Sequence, residues 1–137
     1  DSLNQLRLAI EPIAARMAAT RASEAEKQEI VELADRLHEL EINPSRRVGE
    51  ELATDLRFHS MVLYASGNEM FAALTPSLLS MLKGKSVFGS EKRNPIAGTS
   101  DLHQDLAHAI QNSRPDDAER IARSILDEAR ASVDENA

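Results

Sequence analysis

The stretch Glu51-Leu-Ala-Thr-Asp55-Leu-Arg-Phe-His59-Ser-Met-Val-Leu-Tyr-Ala-Ser-Gly67-Asn68 decides how the whole chain is read. At ~100° per residue, Val48, Leu52, Leu56, Val62 and Leu63 fall on an arc of roughly 120°, the mark of an amphipathic helix. His59 lies near the middle of that arc and Asp55 toward one edge, four residues earlier. An imidazole and a carboxylate aimed at a core need partners, because burying them alone costs several kcal/mol. The partner is another side chain, a metal ion or a ligand. The helix is expected from about residue 45 to 66, ending at Gly67 in the left-handed region, with Asn68 capping the next helix.

The same spacing runs outward in both directions. Upstream, Leu6, Ile10, Ile13, Ala14 and Met17 recur at helical intervals, and Pro12 inside them predicts a bend or a restart of the helix. Ser23 with Glu26 forms a capping box that opens a second helix, whose Ile30, Leu33, Leu37 and Leu40 face the core until Asn43-Pro44 breaks it. Downstream, Met70, Phe71, Leu74, Leu78, Met81 and Leu82 carry a fourth helix through Pro76, where a kink is expected. The pattern dissolves from Gly84 to Thr99, and Gly89, Asn94-Pro95 and Gly98 mark a loop. Thr99 or Ser100 is expected to cap a fifth helix bearing Leu102, Leu106, Ala109 and Ile110. Pro115 starts a sixth with Ala118, Ile121, Ala122, Ile125 and Ala129 on its buried stripe. No strand pattern survives. The expected class is all-α, an antiparallel bundle of about six helices.

Composition limits what such a bundle can do. At 137 residues and 42% hydrophobic, residues 1–137 suit a single domain with a core. The absence of cysteine excludes disulfides and thiolate metal sites. No run approaches the ~18 apolar residues of a membrane span, so the expected setting is soluble and cytoplasmic, without a membrane partner. A net charge of −7 and 3% aromatic residues argue against a direct grip on nucleic acid, which needs cationic surface and stacking platforms. The opening Asp1-Ser-Leu-Asn-Gln-Leu6 runs straight into helix without a methionine and reads as cut from something longer.

Four polar groups on three helices are placed to converge: Arg7, Asp55, His59 and His103. A lone core histidine is more often a hydrogen-bonded structural residue than a ligand. Here an acid one turn away and a second inward histidine make a workable set of metal ligands. His38 and His108 fall on solvated faces. The methionines Met17, Met61, Met70 and Met81 are more simply core or interface fillers than a soft-metal site.

These residues resemble a family, the effector-binding C-terminal (FCD) domain of FadR-type GntR-superfamily transcription regulators. The resemblance covers essentially the whole chain. It rests on Arg7 to Ala19, with Arg, then Glu, then an alanine-rich end; on Asp55-Leu-Arg-Phe-His59 followed by Ala65-Ser-Gly-Asn68; and on His103 to Ile110 followed by Asp117-Ala118. It implies a divalent cation, zinc or similar, on Asp55, His59 and His103. The family's fourth ligand, a histidine, falls here on Ile125. Either three side chains hold the cation while water and ligand oxygens complete its shell, or the effector binds without metal.

The resemblance further implies a small carboxylate effector, a sugar acid or hydroxy acid, paired with Arg7. Pro12 and the missing histidine are similar to the branch that senses aldonic acids. It implies a homodimer, with apolar surface on the first and fourth helices as the candidate interface. DNA would be bound only by a winged-helix domain absent from this chain, as part of a repressor. A small metal-dependent helical enzyme is the alternative, and a helical interaction domain with a buried Asp55–His59 pair is a third reading.

Overall fold

The computed structural model describes residues 1–44, 47–89 and 99–135, with side chains for all of these except 85–89, 99–100 and 129–135. The described residues form six helices: α1 (Ser2–Arg21), α2 (Glu24–Ile42), α3 (Glu50–Ala65), α4 (Glu69–Gly89), α5 (Thr99–Gln111) and α6 (Pro115–Glu135). No strand occurs among them. The all-α bundle expected from the spacing is the fold observed.

Local chemistry sets most of the boundaries. Asp1 caps α1 by accepting from the Asn4 N–H at 2.8 Å. Ser23 and Glu26 form both halves of the capping box of α2, at 3.1 and 2.8 Å. Gly67 takes a φ of 73°, the left-handed turn that ends the α3 segment. The Asn68 carboxamide oxygen then accepts from the N–H groups of Met70 and Phe71, at 2.9 and 3.0 Å, and so caps α4.

Three boundaries differ from expectation. First, α3 starts at Glu50, after Gly49 at φ 84°, so Val48 is a fully exposed turn residue and not part of the apolar arc. Its place upstream of a left-handed glycine, which interrupts the helix, is the physical reason. Ser45 lies outside the described residues. Second, of the bend or restart expected at Pro12 the restart does not occur, and Pro12 lies buried inside one continuous helix. Third, α4 continues through Gly84 to Gly89, into the start of the expected loop. Asn94, Pro95 and Gly98 lie outside the described residues, as do the side chains of Thr99, Ser100 and Ala129.

The core is assembled around α1, which packs on α3, α4, α5 and α6. Its buried stripe is Arg7, Glu11, Pro12, Ala14, Ala15, Ala18 and Ala19, whereas Leu6 and Ile13 are exposed. The side of α1 bearing its larger apolar residues is thus partly turned to solvent, and its alanines face inward. Alanines let neighbouring helices approach closely, and α6 answers with Ala118 and Ala122 in the same cluster. Leu78 and Leu82 of α4 join Ala14 and Leu63 in a second cluster, leaving Met70, Leu74 and Met81 exposed. Apolar surface therefore remains on α1 and α4.

Candidate metal and effector site

The cluster is built where side chains of α3 and α5 meet beside α1, which packs on both helices. Asp55 and His59 stand one turn apart on α3, and His103 comes from the first turns of α5. Asp55 Oδ1 lies 3.0 Å from His103 Nε2 and 3.3 Å from His59 Nε2. The two Nε2 atoms are 3.3 Å apart. Three donor atoms thus sit at mutual distances close to the ~3.3 Å edge of a tetrahedron with metal–ligand bonds of ~2.0–2.1 Å. Among the described residues, these three form the group able to hold a metal ion. Their chemistry, two imidazoles and a carboxylate, suits zinc and similar divalent ions, so the residues present fit the group the resemblance implies.

Proton accounting points the same way. Two Nε2 atoms at 3.3 Å have room for one proton between them at most, and both also approach the same Asp55 oxygen. Burial opposes charge on His59, yet Asp55 and Glu11 on its two sides raise its pKa to about 9. Burial likewise opposes the Asp55 carboxylate, but His59 and His103 outweigh this and hold it well below the usual range. Without a cation, protons supply the positive charge that the cluster needs. One turn before Asp55, partial burial raises the Glu51 carboxyl, and the charges of Asp55 and Glu41 add to this.

Surroundings give the cluster a dry side and an open side. Phe58, fully buried, sets its ring edge-on to His103 and His59, with centroids 4.9 and 5.5 Å away. The side chains of His59 and His103 are 10% and 6% exposed, but Asp55 keeps 33%. Asp55 is thus the member of the cluster that solvent reaches.

Arg7 joins through an intermediate. Its Nε and Nη2 donate to the two carboxylate oxygens of Glu11, at 2.5 and 3.3 Å. Glu11 Oε1 also meets His59 Nδ1 at 3.0 Å. Burial would raise the Glu11 carboxyl, but Arg7 and His59 hold it down at about 2. Arg7 Nη1 makes no hydrogen bond, and no buried side-chain nitrogen or oxygen among the described residues lacks a partner, so Nη1 must meet solvent. All four expected residues, Arg7, Asp55, His59 and His103, are therefore brought to one neighbourhood. Glu11 was not anticipated as a member. Its signal was available, since Arg7, Glu11, Ala14 and Ala18 share one helical stripe.

The remaining polar candidates separate as expected. His108 is exposed, and half-buried His38 pairs with Asp101 at 3.3 Å, away from the cluster. Ile125, at the place of the family's fourth ligand, is 3% exposed and part of the apolar core.

Comparison with known proteins agrees with this architecture. A GntR protein from Streptococcus agalactiae superposes with a TM-score of 0.77 at 22% identity, over 96% of this chain and 57% of that one. The chain thus spans little more than half the length of that relative, and at such identity the likeness concerns the fold. A search of curated proteins found no match. The family model of the FCD domain matches residues 2–128, the span that carries Arg7, Asp55, His59 and His103, and the chain belongs to that family of GntR regulator domains.

Proposed function

We propose that this chain is the effector-sensing and dimerising module of a bacterial GntR-type transcription repressor, acting in the cytoplasm. Its ligand is a small carboxylate, a sugar acid or hydroxy acid, bound beside a divalent cation on Asp55, His59 and His103. The observation that carries the reading is the meeting of three donor atoms at 3.0–3.3 Å, open to solvent at Asp55, inside a regulatory fold. When bound, the cation offers positive charge and open coordination positions to ligand oxygens. Asp55 and the two imidazoles anchor it, Phe58 keeps water from the buried side, and Arg7 offers its Nη1 edge to the ligand carboxylate. Ile125 leaves the fourth position to ligand or water.

A ligand bound between α1, α3 and α5 can change DNA binding only if it has different affinities for two arrangements of the dimer. The exposed Leu6 and Ile13 of α1 and Met70, Leu74 and Met81 of α4 support these helices as the dimer face. DNA contact would then belong to a winged-helix domain outside this chain. Among the described residues, no helix is long and apolar enough to cross a membrane.

The test is calorimetry with a panel of aldonic and hydroxy acids, with zinc and after chelation, on wild type, Asp55→Ala and Arg7→Lys. Binding that needs zinc, disappears in Asp55→Ala and weakens in Arg7→Lys is expected. Affinity indifferent to all three changes would remove the site, and product accumulating in the same samples would replace the sensor with the enzyme alternative. Sedimentation should show a dimer at tens of micromolar (~10–100 µM). A monomer there would count against the α1–α4 face.

A further inference from the structure

Glu11 is divided between two side chains and reaches neither as an ordinary surface ion pair. Its Oε2 accepts from Arg7 Nε at 2.5 Å, and its Oε1 accepts from both Arg7 Nη2 at 3.3 Å and His59 Nδ1 at 3.0 Å. The residue is 5% exposed. It stands on the Nδ1 side of the His59 ring, away from the Nε2 that faces Asp55 and His103, so it is placed to act on the cluster through His59.

An imidazole has one lone pair to give a cation, and the bond made by its other nitrogen decides which atom gives it. A carboxylate clamped by a guanidinium has no proton to donate and can only accept. Placed at Nδ1, it fixes the proton there and leaves Nε2 as the donor atom. The same clamp occupies the Nε–Nη2 edge of Arg7 and leaves the Nη1 edge to solvent. An Arg7–Glu11 pair serving stability alone would not need the third contact, to His59.

We propose that Glu11 is a positioning residue for both halves of the site: it holds His59 with Nε2 turned to the cation, and it sets Arg7 with Nη1 turned out for the ligand carboxylate. The proposal rests on the cation reading above. Arg7 thus contributes twice, by keeping Glu11 an acceptor and by meeting the ligand.

The experiment compares wild type with Glu11→Gln, measuring zinc affinity by chelator competition and the His59 ring by long-range 1H–15N NMR, with and without zinc. In zinc-loaded wild type, His59 should carry its proton on Nδ1. In the metal-free protein that N–H should exchange slowly. In Glu11→Gln, zinc affinity should fall about 10–100-fold, and the Nδ1–H signal should move upfield and exchange faster, with helix content unchanged. If the single variant does not fold, Arg7→Gln/Glu11→Gln, which buries no charge at this spot, gives the same comparison. Tight zinc binding by wild type that is equal in the variant, with an unmoved His59 signal, would overturn the role of Glu11 alone. No zinc binding by wild type would overturn the cation reading and this role together.

Discussion

Helix α1 carries two arginine–carboxylate clusters that differ above all in their exposure to water. Near its start, Arg7 pairs with Glu11 at side-chain exposures of 8% and 6%. Toward its end, Arg16 reaches across to Asp116 at 2.6 Å and Glu119 at 3.8 Å on α6, with exposures of 45% for Arg16 and 86% for Asp116. Geometry alone would rank the two alike. Water decides between them, because a buried ion must find its whole solvation shell among side chains, while an exposed one loses little if its partner leaves. The dry cluster is also the one that continues into His59, Asp55 and His103. Its charges are tied to one another, so a change at any member is felt at the others.

The sharpest way to break the comparison is Glu11→Ala. It leaves Arg7 buried without its counter-charge and His59 without its Nδ1 partner, and a loss of about 3–5 kcal/mol is expected. Denaturant titration at neutral pH measures it. A loss below about 1 kcal/mol would mean that water enters and solvates Arg7, which would make the two clusters equivalent.

The pH dependence of the chelated, metal-free protein tests the same contrast without mutation. Glu11 has a pKa lowered from 4.5 to about 2, so its contribution is present above about 4.5 and is lost as pH falls toward 2. His59 is raised from 6.5 to about 9, so its contribution is full below about 6.5 and is lost as pH rises toward 9. Each displacement corresponds to on the order of 3 kcal/mol, and the two share a hydrogen bond, so they do not simply add. The expected profile of melting temperature is a plateau between about pH 4.5 and 6.5, falling on both sides. Zinc should flatten the alkaline limb, because the cation takes the place of the His59 Nε2 proton. An alkaline limb unchanged by zinc would separate His59 from metal binding.

A third test moves the boundary of the dry region. Ile125→His puts a histidine where the family's fourth ligand belongs, at a position now 3% exposed within the core. In the absence of zinc it should cost about 1–3 kcal/mol for burying a polar ring. With zinc the cost should be recovered, and zinc affinity should rise at least tenfold. Destabilisation that zinc does not relieve would show that α6 cannot deliver a ligand to the cluster.

How far the sequence disclosed all this follows from the same contrast. Asp55, His59 and His103 could be found because an ionisable residue on an apolar stripe stands out against its neighbours. Capping gave Ser23 and Asn68 for a similar reason, since the acceptor and the N–H it serves are close in sequence. Glu11 does not stand out in this way, because the spacing of Leu6, Ile10, Ile13, Ala14 and Met17 puts it off the expected stripe of α1. The buried face runs instead through Glu11, Ala15, Ala18 and Ala19, and shares Ala14 with that stripe. Size misled there: large residues left exposed on one side suit an interface, while small ones permit close packing inside. Val48 was misassigned because periodicity carries no information about Gly49, whose left-handed φ of 84° ends the pattern. The run from Gly84 to Gly89 stays helical although glycine is a poor helix former, so the expected break after Leu82 came too early.

The smallest expected effect belongs to Arg16→Ala, and its smallness is informative. Removing Arg16 abolishes the contacts to Asp116 and Glu119 across α1 and α6, both measured between groups with water around them. Exposed pairs of this kind contribute about 0.2–1 kcal/mol, less at high salt, and the close packing of Ala14, Ala15 and Ala18 remains to hold α1 in place. Chemical denaturation at low and high salt should therefore show a loss under about 1 kcal/mol that shrinks as salt is added. Zinc affinity should not change, since among the described residues no hydrogen bond or ion pair links Arg16 to the His59 cluster. A loss matching that of Glu11→Ala, or a change in zinc binding, would mean that α1 moves as a rigid lever on α6, and burial would no longer explain why one cluster matters more than the other.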